Sequence, residues 1–102
     1  EDCYLQGLSR GLGVLKAAAG GERPDLAIVV GGSDPYVLDE LPSSAKLKLS
    51  LEQMLDRDML VYHFLQERSI PASYLMAGGY GKKSWEVYVQ FLTLVLLDRL
   101  KA

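Results

Sequence analysis

The sequence has few of the residues on which disulfide frameworks and metal clusters depend. Its 102 residues include one cysteine, Cys3, and one histidine, His63. A single cysteine excludes an internal disulfide and gives no metal cluster, and it favours a reducing, cytoplasmic setting. No histidine stands beside Cys3 to activate its thiol, so we do not expect a catalytic nucleophile there.

Long apolar runs and blocks of basic residues are also missing. The most apolar stretch, residues 91–97, is far shorter than the ~20 residues that a membrane-spanning helix needs, and Thr93 interrupts it. The 11 Lys and Arg residues are outnumbered by 13 Asp and Glu residues, which gives a net charge of −2. We therefore expect neither a membrane nor a nucleic acid as a partner.

What the chain does have is a high apolar content for its size. Hydrophobic residues make up 49% of it, and the mean hydropathy is +0.08. A small domain buries a smaller share of its surface than a large one, so some of this apolar surface is expected to meet other structure. Because the sequence also opens abruptly at what resembles a helix start, we expect residues 1–102 to be a single domain or a fragment of a longer protein.

The apolar spacing predicts five elements separated by glycine and proline. Ser50 and Gln53 have the spacing of a capping box, which marks the start of the second helix. An irregular loop over residues 37–49 precedes it, with a short extended piece near 46–49. We predict helices over about residues 2–19, 51–68 and from 84 almost to the end, and strands over 26–30 and 72–77.

Strand, helix and strand in this order predict a right-handed βαβ unit with two adjacent parallel strands. The run 26–30 is apolar throughout, as in a strand that is buried on both faces, and Gly31-Gly32 is expected to end it. The third helix is apolar around much of its circumference, which predicts burial on more than one side. The fold class is therefore α/β, a βαβα arrangement of parallel strands with flanking helices.

The candidate site lies where the two predicted strands end. Asp34 follows the first strand within Gly31-Gly32-Ser33-Asp34-Pro35-Tyr36, and the carboxyl edge of an open α/β sheet is where ligands bind. A carboxylate held there could bind a cation such as zinc. The alternative is a turn in which Asp34 bonds its own backbone.

Tyr80 follows the second strand within Gly78-Gly79-Tyr80-Gly81. Its hydroxyl could donate a hydrogen bond to a carbonyl oxygen as charge develops there, and the small Gly78 and Gly79 would let a substrate approach closely. The alternative is a glycine-rich turn with a surface aromatic ring. His63, in mid-helix, is interpreted as a surface or packed residue, and Asp56-Arg57-Asp58 as a solvated helix face.

Taken in order, these residues resemble the carboxy-terminal part of the histone deacetylase superfamily, in particular the bacterial deacetylase-like and acetylpolyamine amidohydrolases. The matching features are residues 24–30, Gly32-Ser33-Asp34-Pro35-Tyr36, Asp39, residues 47–50, Arg57-Asp58 and Gly78-Gly79-Tyr80. They span nearly the whole chain.

The resemblance implies a segment of the three-layer arginase–deacetylase fold and metal-assisted hydrolysis of an acetylated amine, either acetyl-lysine or an acetylpolyamine. By it, Asp34 corresponds to a ligand of the catalytic zinc, and Tyr80 to the tyrosine that polarises the acetyl carbonyl.

The chain also departs from the family pattern. The family's paired histidines and its aspartate–histidine metal motif are absent, so the isolated chain is not expected to hold zinc or to be active. Leu41-Pro42-Ser43-Ser44 stands where many members carry a leucine–glycine pair. Two alternatives stay open: a non-catalytic interaction module with the same fold, and an unrelated α/β domain whose strand-end loops bind a nucleotide or phosphate.

Overall fold

The computed structural model describes residues 2–38 and 47–101, which form a small α/β arrangement. In chain order the elements are α1 (Asp2–Ala18), β1 (Ala27–Gly32), α2 (Leu51–Glu67), β2 (Ala72–Ala77) and α3 (Trp85–Lys101). The predicted order of elements and the α/β class are confirmed, and the predicted boundaries agree to within two residues. Asp39 and the segment 41–44 lie outside the described residues.

A capping box starts α2, as the sequence predicts. The Gln53 N–H donates to Oγ of Ser50 at 3.1 Å, and the Ser50 N–H donates to Oε1 of Gln53 at 2.8 Å. These two bonds satisfy donors that have no partner within the helix, and an N-cap of this kind stabilises a helix by about 1 kcal/mol.

The two strands are parallel neighbours, paired in register from Ala27 opposite Ala72 to Gly32 opposite Ala77. The prediction that Gly31-Gly32 ends the first strand is wrong, because both glycines continue the ladder. Glycine weakens a strand through backbone entropy, but it keeps the N–H and C=O groups that the ladder uses. The pairing therefore extends to the residue just before Ser33, and the two strands end together.

One cluster of buried hydrophobic residues lies at the carboxyl-terminal end of the strands. Tyr36, Leu49, Met54 and Val87 form it, with exposed fractions between 0% and 4%. An isolated parallel bridge joins Tyr36 to Leu49, in which the Val37 N–H donates to the Leu49 carbonyl at 2.7 Å. Met54 and Val87 lie in the first turns of α2 and α3. The starts of both helices therefore pack against the segment that follows β1 and carries Asp34.

One face of the sheet is covered and the other is open. Val29 and Tyr74 point to the covered face and are half-buried. The open face carries Ile28, Val30 and Leu75, which are 63%, 66% and 51% exposed. The expectation of a strand buried on both faces is therefore wrong for this chain, because the described helices cover the sheet from one side only.

The third helix shows the same one-sided burial. Val87 and Phe91 are buried, whereas Trp85, Leu92 and Leu96 are exposed. Burial on more than one side, predicted from the apolar circumference of this helix, is not seen within the described residues. None of their helices combines the length and the apolar character that crossing a bilayer requires.

We predict that the isolated chain self-associates, by pairing of a free strand edge or by helix exchange. Within residues 2–38 and 47–101 the sheet has two strands, and its open face and unpaired edges both expose groups that favour association. Sedimentation velocity over a range of concentrations should show dimers or larger species that dissociate on dilution.

A variant and a control make this prediction specific to the sheet. Val30→Lys places a charge on the open face and should shift the chain toward monomer, whereas Val14→Lys places the same charge at an exposed position on α1 and should change little. A stable wild-type monomer at high concentration would contradict the prediction.

Candidate functional site

The segments after the two strands lie side by side, which the register of the sheet requires. The Ser33 N–H donates to the Gly78 carbonyl at 3.0 Å, and Oγ of Ser33 donates to the same oxygen at 3.3 Å. Ser33 is fully buried in this position. Asp34 and the Gly78-Gly79-Tyr80 segment therefore occupy one edge of the sheet, as the sequence predicts.

The two glycines after β2 leave room for the side chains after β1. A Cβ atom on Gly78 would overlap the Asp34 carboxylate, coming within 2.6 Å of its Cγ, and a Cβ atom on Gly79 would overlap Oγ of Ser33. Both glycines also have positive φ angles, +26° and +145°, which L-residues adopt only with strain. The structure gives them this packing role, and their contact with a substrate remains a prediction.

One oxygen of the Asp34 carboxylate is buried and has no hydrogen-bond donor among residues 2–38 and 47–101. This oxygen is Oδ1, and it is inaccessible to solvent. A buried carboxylate oxygen normally has a partner, and a cation is one group that can supply the missing interaction. The oxygen is of the type that zinc accepts, so Asp34 fits the role of a metal ligand.

The described residues do not complete a metal site around Asp34. Across residues 2–38 and 47–101, no cluster of three or more His, Cys, Asp or Glu side chains is arranged to hold an ion. His63 lies on the exposed surface of α2 with its ring 5.5 Å from that of Tyr62, which agrees with its interpretation as a surface residue. Cys3 is an exposed free thiol on α1.

Tyr80 lies on the same edge and is accessible. Its side chain is 59% exposed, so it could reach a bound molecule at the mouth of the site. The backbone after it is held by a turn in which the Gly81 N–H donates to Oγ of Ser84 at 3.0 Å and the Ser84 N–H donates to the Gly81 carbonyl at 3.2 Å. This turn leads directly into α3 and limits the positions open to Tyr80.

Tyr88 fixes the end of β2 from α3. Its hydroxyl lies 2.7 Å from the Ala77 carbonyl oxygen and 2.8 Å from that of Gly78, so one proton is shared between two acceptors. In the sequence, Tyr88 belongs to the apolar stripe of the third helix with Trp85 and Phe91, which indicates a core residue or a wall of the site. Its contact with both carbonyls assigns it the task of holding the backbone on which the Asp34 carboxylate rests.

Tyr36 ties the segment after β1 to the same helix. Its N–H closes a turn on the Ser33 carbonyl at 3.0 Å, and its hydroxyl donates to Oε1 of Glu86 at 2.9 Å. Burial of the ring and the contact with Glu86 both raise the pKa of Tyr36. The hydroxyl therefore stays protonated and remains a donor to Glu86.

Arg57 and Asp58 are not a solvated face, so that prediction is wrong for both. Their side chains are only 13% and 15% exposed. Nε of Arg57 donates to Oδ1 of Asp58 at 2.8 Å, and Nη1 donates to the Gly32 carbonyl at 2.7 Å. Burial raises the pKa of Asp58, and Arg57 opposes that rise.

Helical spacing in the sequence indicates this burial, although the charges of residues 56–58 suggest an exposed face. Arg57 and Asp58 fall three and four residues after Met54, a fully buried residue, and Val61 follows at helical spacing. They therefore occupy the core stripe of α2 rather than its outer face. Asp56, next to them, is exposed as predicted.

Comparisons with known proteins identify one informative likeness. Over 86 residues the chain is 37% identical to histone deacetylase 2 of Arabidopsis thaliana. The chain is similar to a histone deacetylase. The matched segment covers 84% of this chain and 21% of that relative, so the chain spans about one fifth of its length. No protein-family model matches the sequence, and no solved structure matches it.

This similarity supports the histone deacetylase family and no finer assignment. It agrees with the resemblance drawn from the ordered motifs between residues 24 and 80. The narrower likeness to bacterial acetylpolyamine amidohydrolases remains a prediction.

We predict that Gly78→Ala destabilises the chain by about 1–3 kcal/mol, the usual cost of a non-glycine residue held at a disfavoured φ angle. The new methyl group would also displace the Asp34 carboxylate. Urea denaturation followed by circular dichroism at low protein concentration measures the change.

Gly11→Ala is the matched control for this substitution. Gly11 lies within α1, and a Cβ atom added to it would meet no other atom within 4 Å. Alanine there should therefore stabilise the helix by up to about 1 kcal/mol. Equal stability of Gly78→Ala and wild type would contradict the assigned packing role.

Proposed function

We propose that this chain is the segment of a zinc-dependent, deacetylase-like amidohydrolase that supplies one metal ligand and the residue that polarises the substrate carbonyl. Asp34 is the ligand and Tyr80 is the polarising residue. The observation that carries the proposal is the buried Oδ1 of Asp34, which has no hydrogen-bond donor among the described residues and lies at the edge of the sheet that also carries Tyr80. The similarity to histone deacetylase 2 supports it.

The roles of the chain's own residues follow from their positions. Asp34 would contribute negatively charged oxygen to the ion, and the glycine backbone after β2 would keep that carboxylate from swinging away. Bound zinc would activate a water molecule and polarise the scissile carbonyl. Tyr80 would donate a hydrogen bond to the carbonyl oxygen as negative charge develops on it.

The substrate proposed for the whole protein is an acetylated amine, either acetyl-lysine or an acetylpolyamine. The proposed location of the protein is the cytoplasm, because the chain contains a single cysteine. Residues 2–38 and 47–101 contain no cluster of side chains that would complete the metal site, so the remaining ligands and the proton acceptor for water are proposed to come from elsewhere in the protein. We therefore propose that the isolated segment does not hold zinc and has no deacetylase activity when zinc is added.

We predict that Asp34→Ala in the full-length protein greatly lowers its metal content and abolishes metal-dependent activity while the protein stays folded. Elemental analysis measures the bound metal, and circular dichroism checks the fold. Asp25→Ala is the matched control, because Asp25 is an exposed carboxylate just before the opposite end of β1. Full metal occupancy in Asp34→Ala would show that Asp34 is not a metal ligand.

We predict that Tyr80→Phe lowers turnover by on the order of a hundred- to a thousand-fold, the usual loss for one oxyanion donor. KM should change much less, because the ring and its packing are kept. The assay uses an acetyl-lysine peptide and an acetylated polyamine in parallel, with Tyr4→Phe on α1 as the control. If Tyr80→Phe turns over the accepted substrate at a near-normal rate, Tyr80 is structural.

A further inference from the structure

The peptide unit between Gly32 and Ser33 is held from both sides. Its carbonyl oxygen accepts a hydrogen bond from Nη1 of Arg57 on α2 at 2.7 Å. Its N–H, that of Ser33, donates to the Gly78 carbonyl after β2 at 3.0 Å. A peptide unit is rigid and planar, so two bonds on opposite sides fix its orientation. The backbone enters Asp34 one residue later.

Gly32 also lies against the carboxylate itself. A Cβ atom on Gly32 would sit 3.2 Å from Oδ1 of Asp34, so the residue that Arg57 holds forms part of the surface on which this oxygen rests. The described hydrogen bonds of Arg57 go to Asp58 and Gly32 and not to the Asp34 carboxylate. Its influence on Asp34 therefore passes through the position of the Gly32 backbone.

The charge of Arg57 is balanced where it lies. Nε and Nη2 both contact Oδ1 of Asp58, and the two side chains are 13% and 15% exposed. A buried guanidinium without a counter-charge would be costly, and near a cation site it would repel the ion. With Asp58 beside it, the guanidinium can hold the Gly32 carbonyl without adding net charge to this edge of the sheet.

We propose that Arg57, oriented by Asp58, is the positioning residue that sets the Asp34 carboxylate for metal binding. Arginine suits the task because its fork reaches a carboxylate and a carbonyl at the same time, whereas the single ammonium group of lysine cannot reproduce both contacts. This proposal rests on the proposed function, because it assumes that Asp34 binds the metal.

The test measures zinc affinity in the full-length protein by competition with a chelator. Arg57→Ala and Arg57→Lys should each weaken zinc binding by on the order of 10- to 100-fold, the usual effect of losing a residue that orients a metal ligand. Asp58→Asn should have a smaller effect in the same direction. If Arg57→Ala does not fold, Arg57→Lys and Asp58→Asn still decide the question.

Arg68, the C-cap residue that follows α2, provides the matched control. It donates to the Phe64 carbonyl at 2.9 Å and stacks on the Phe64 ring at 3.9 Å, so Arg68→Lys changes a packed arginine that has no described contact with the site. Arg68→Lys should keep wild-type zinc affinity. Equal weakening in Arg68→Lys and Arg57→Lys would show a general loss of packing and would overturn the proposal.

A second readout separates positioning from bulk stability. Added methylguanidine should restore part of the zinc affinity of Arg57→Ala, because it can occupy the space between Asp58 and the Gly32 carbonyl. In all Arg57 variants, the fold-change in kcat should be a decrease that exceeds the fold-change in KM. Absence of any rescue, together with wild-type affinity in Arg57→Lys, would overturn the proposal.

The outcomes also distinguish this proposal from the one on which it rests. If Asp34→Ala loses zinc but the Arg57 variants bind it normally, Asp34 is a ligand and Arg57 does not position it. If Asp34→Ala itself keeps zinc, the proposed function fails, and the positioning role fails with it.

Discussion

The in-register pairing of two short parallel strands is the constraint on which the rest of this structure depends. Ala27 through Gly32 pair with Ala72 through Ala77 without an offset, so the two strands end at the same level. Segments that are 45 residues apart in sequence then lie within hydrogen-bonding distance, as the bond from Ser33 to Gly78 shows. An offset of two residues would separate Asp34 from the glycines that make room for it.

Glycine is required at this edge of the sheet because side chains that follow β1 lie close against the backbone that follows β2. The space beside Gly78 is filled by the Asp34 carboxylate, and the space beside Gly79 is filled by the Ser33 hydroxyl. Tyr88 then bonds the carbonyls of Ala77 and Gly78 from the side of α3. The result is a backbone held by two elements, on which one carboxylate oxygen is left without a donor among the described residues.

The same sheet is only half covered, and this sets the character of the molecule outside the site. Ile28, Val30 and Leu75 keep more than half of their surface exposed on the open face. Burying an aliphatic side chain of this size stabilises a fold by roughly 1.5–3 kcal/mol, and these three side chains contribute only part of that. Leu49 and Met54, by contrast, are fully buried at the end of the sheet that carries Asp34.

Local pattern was enough to determine the elements and the place of the candidate site. Apolar spacing, the Ser50–Gln53 capping box and the glycines at the turns predict the helices and strands seen in the described part of the chain, because each of these signals acts between residues close in sequence. The order strand, helix, strand then predicts parallel pairing and puts Asp34 and Tyr80 on one edge.

Only the tertiary structure decided which groups are buried and what they contact. Asp56-Arg57-Asp58 looks solvated from its composition, yet Arg57 bonds the Gly32 carbonyl, 25 residues earlier in the chain. Ile28 and Val30 look buried from theirs, yet they lie on the open face. Helical spacing after Met54 favours an inward position for Arg57 and Asp58, but which elements cover a residue, and what it contacts there, depends on contacts between distant segments.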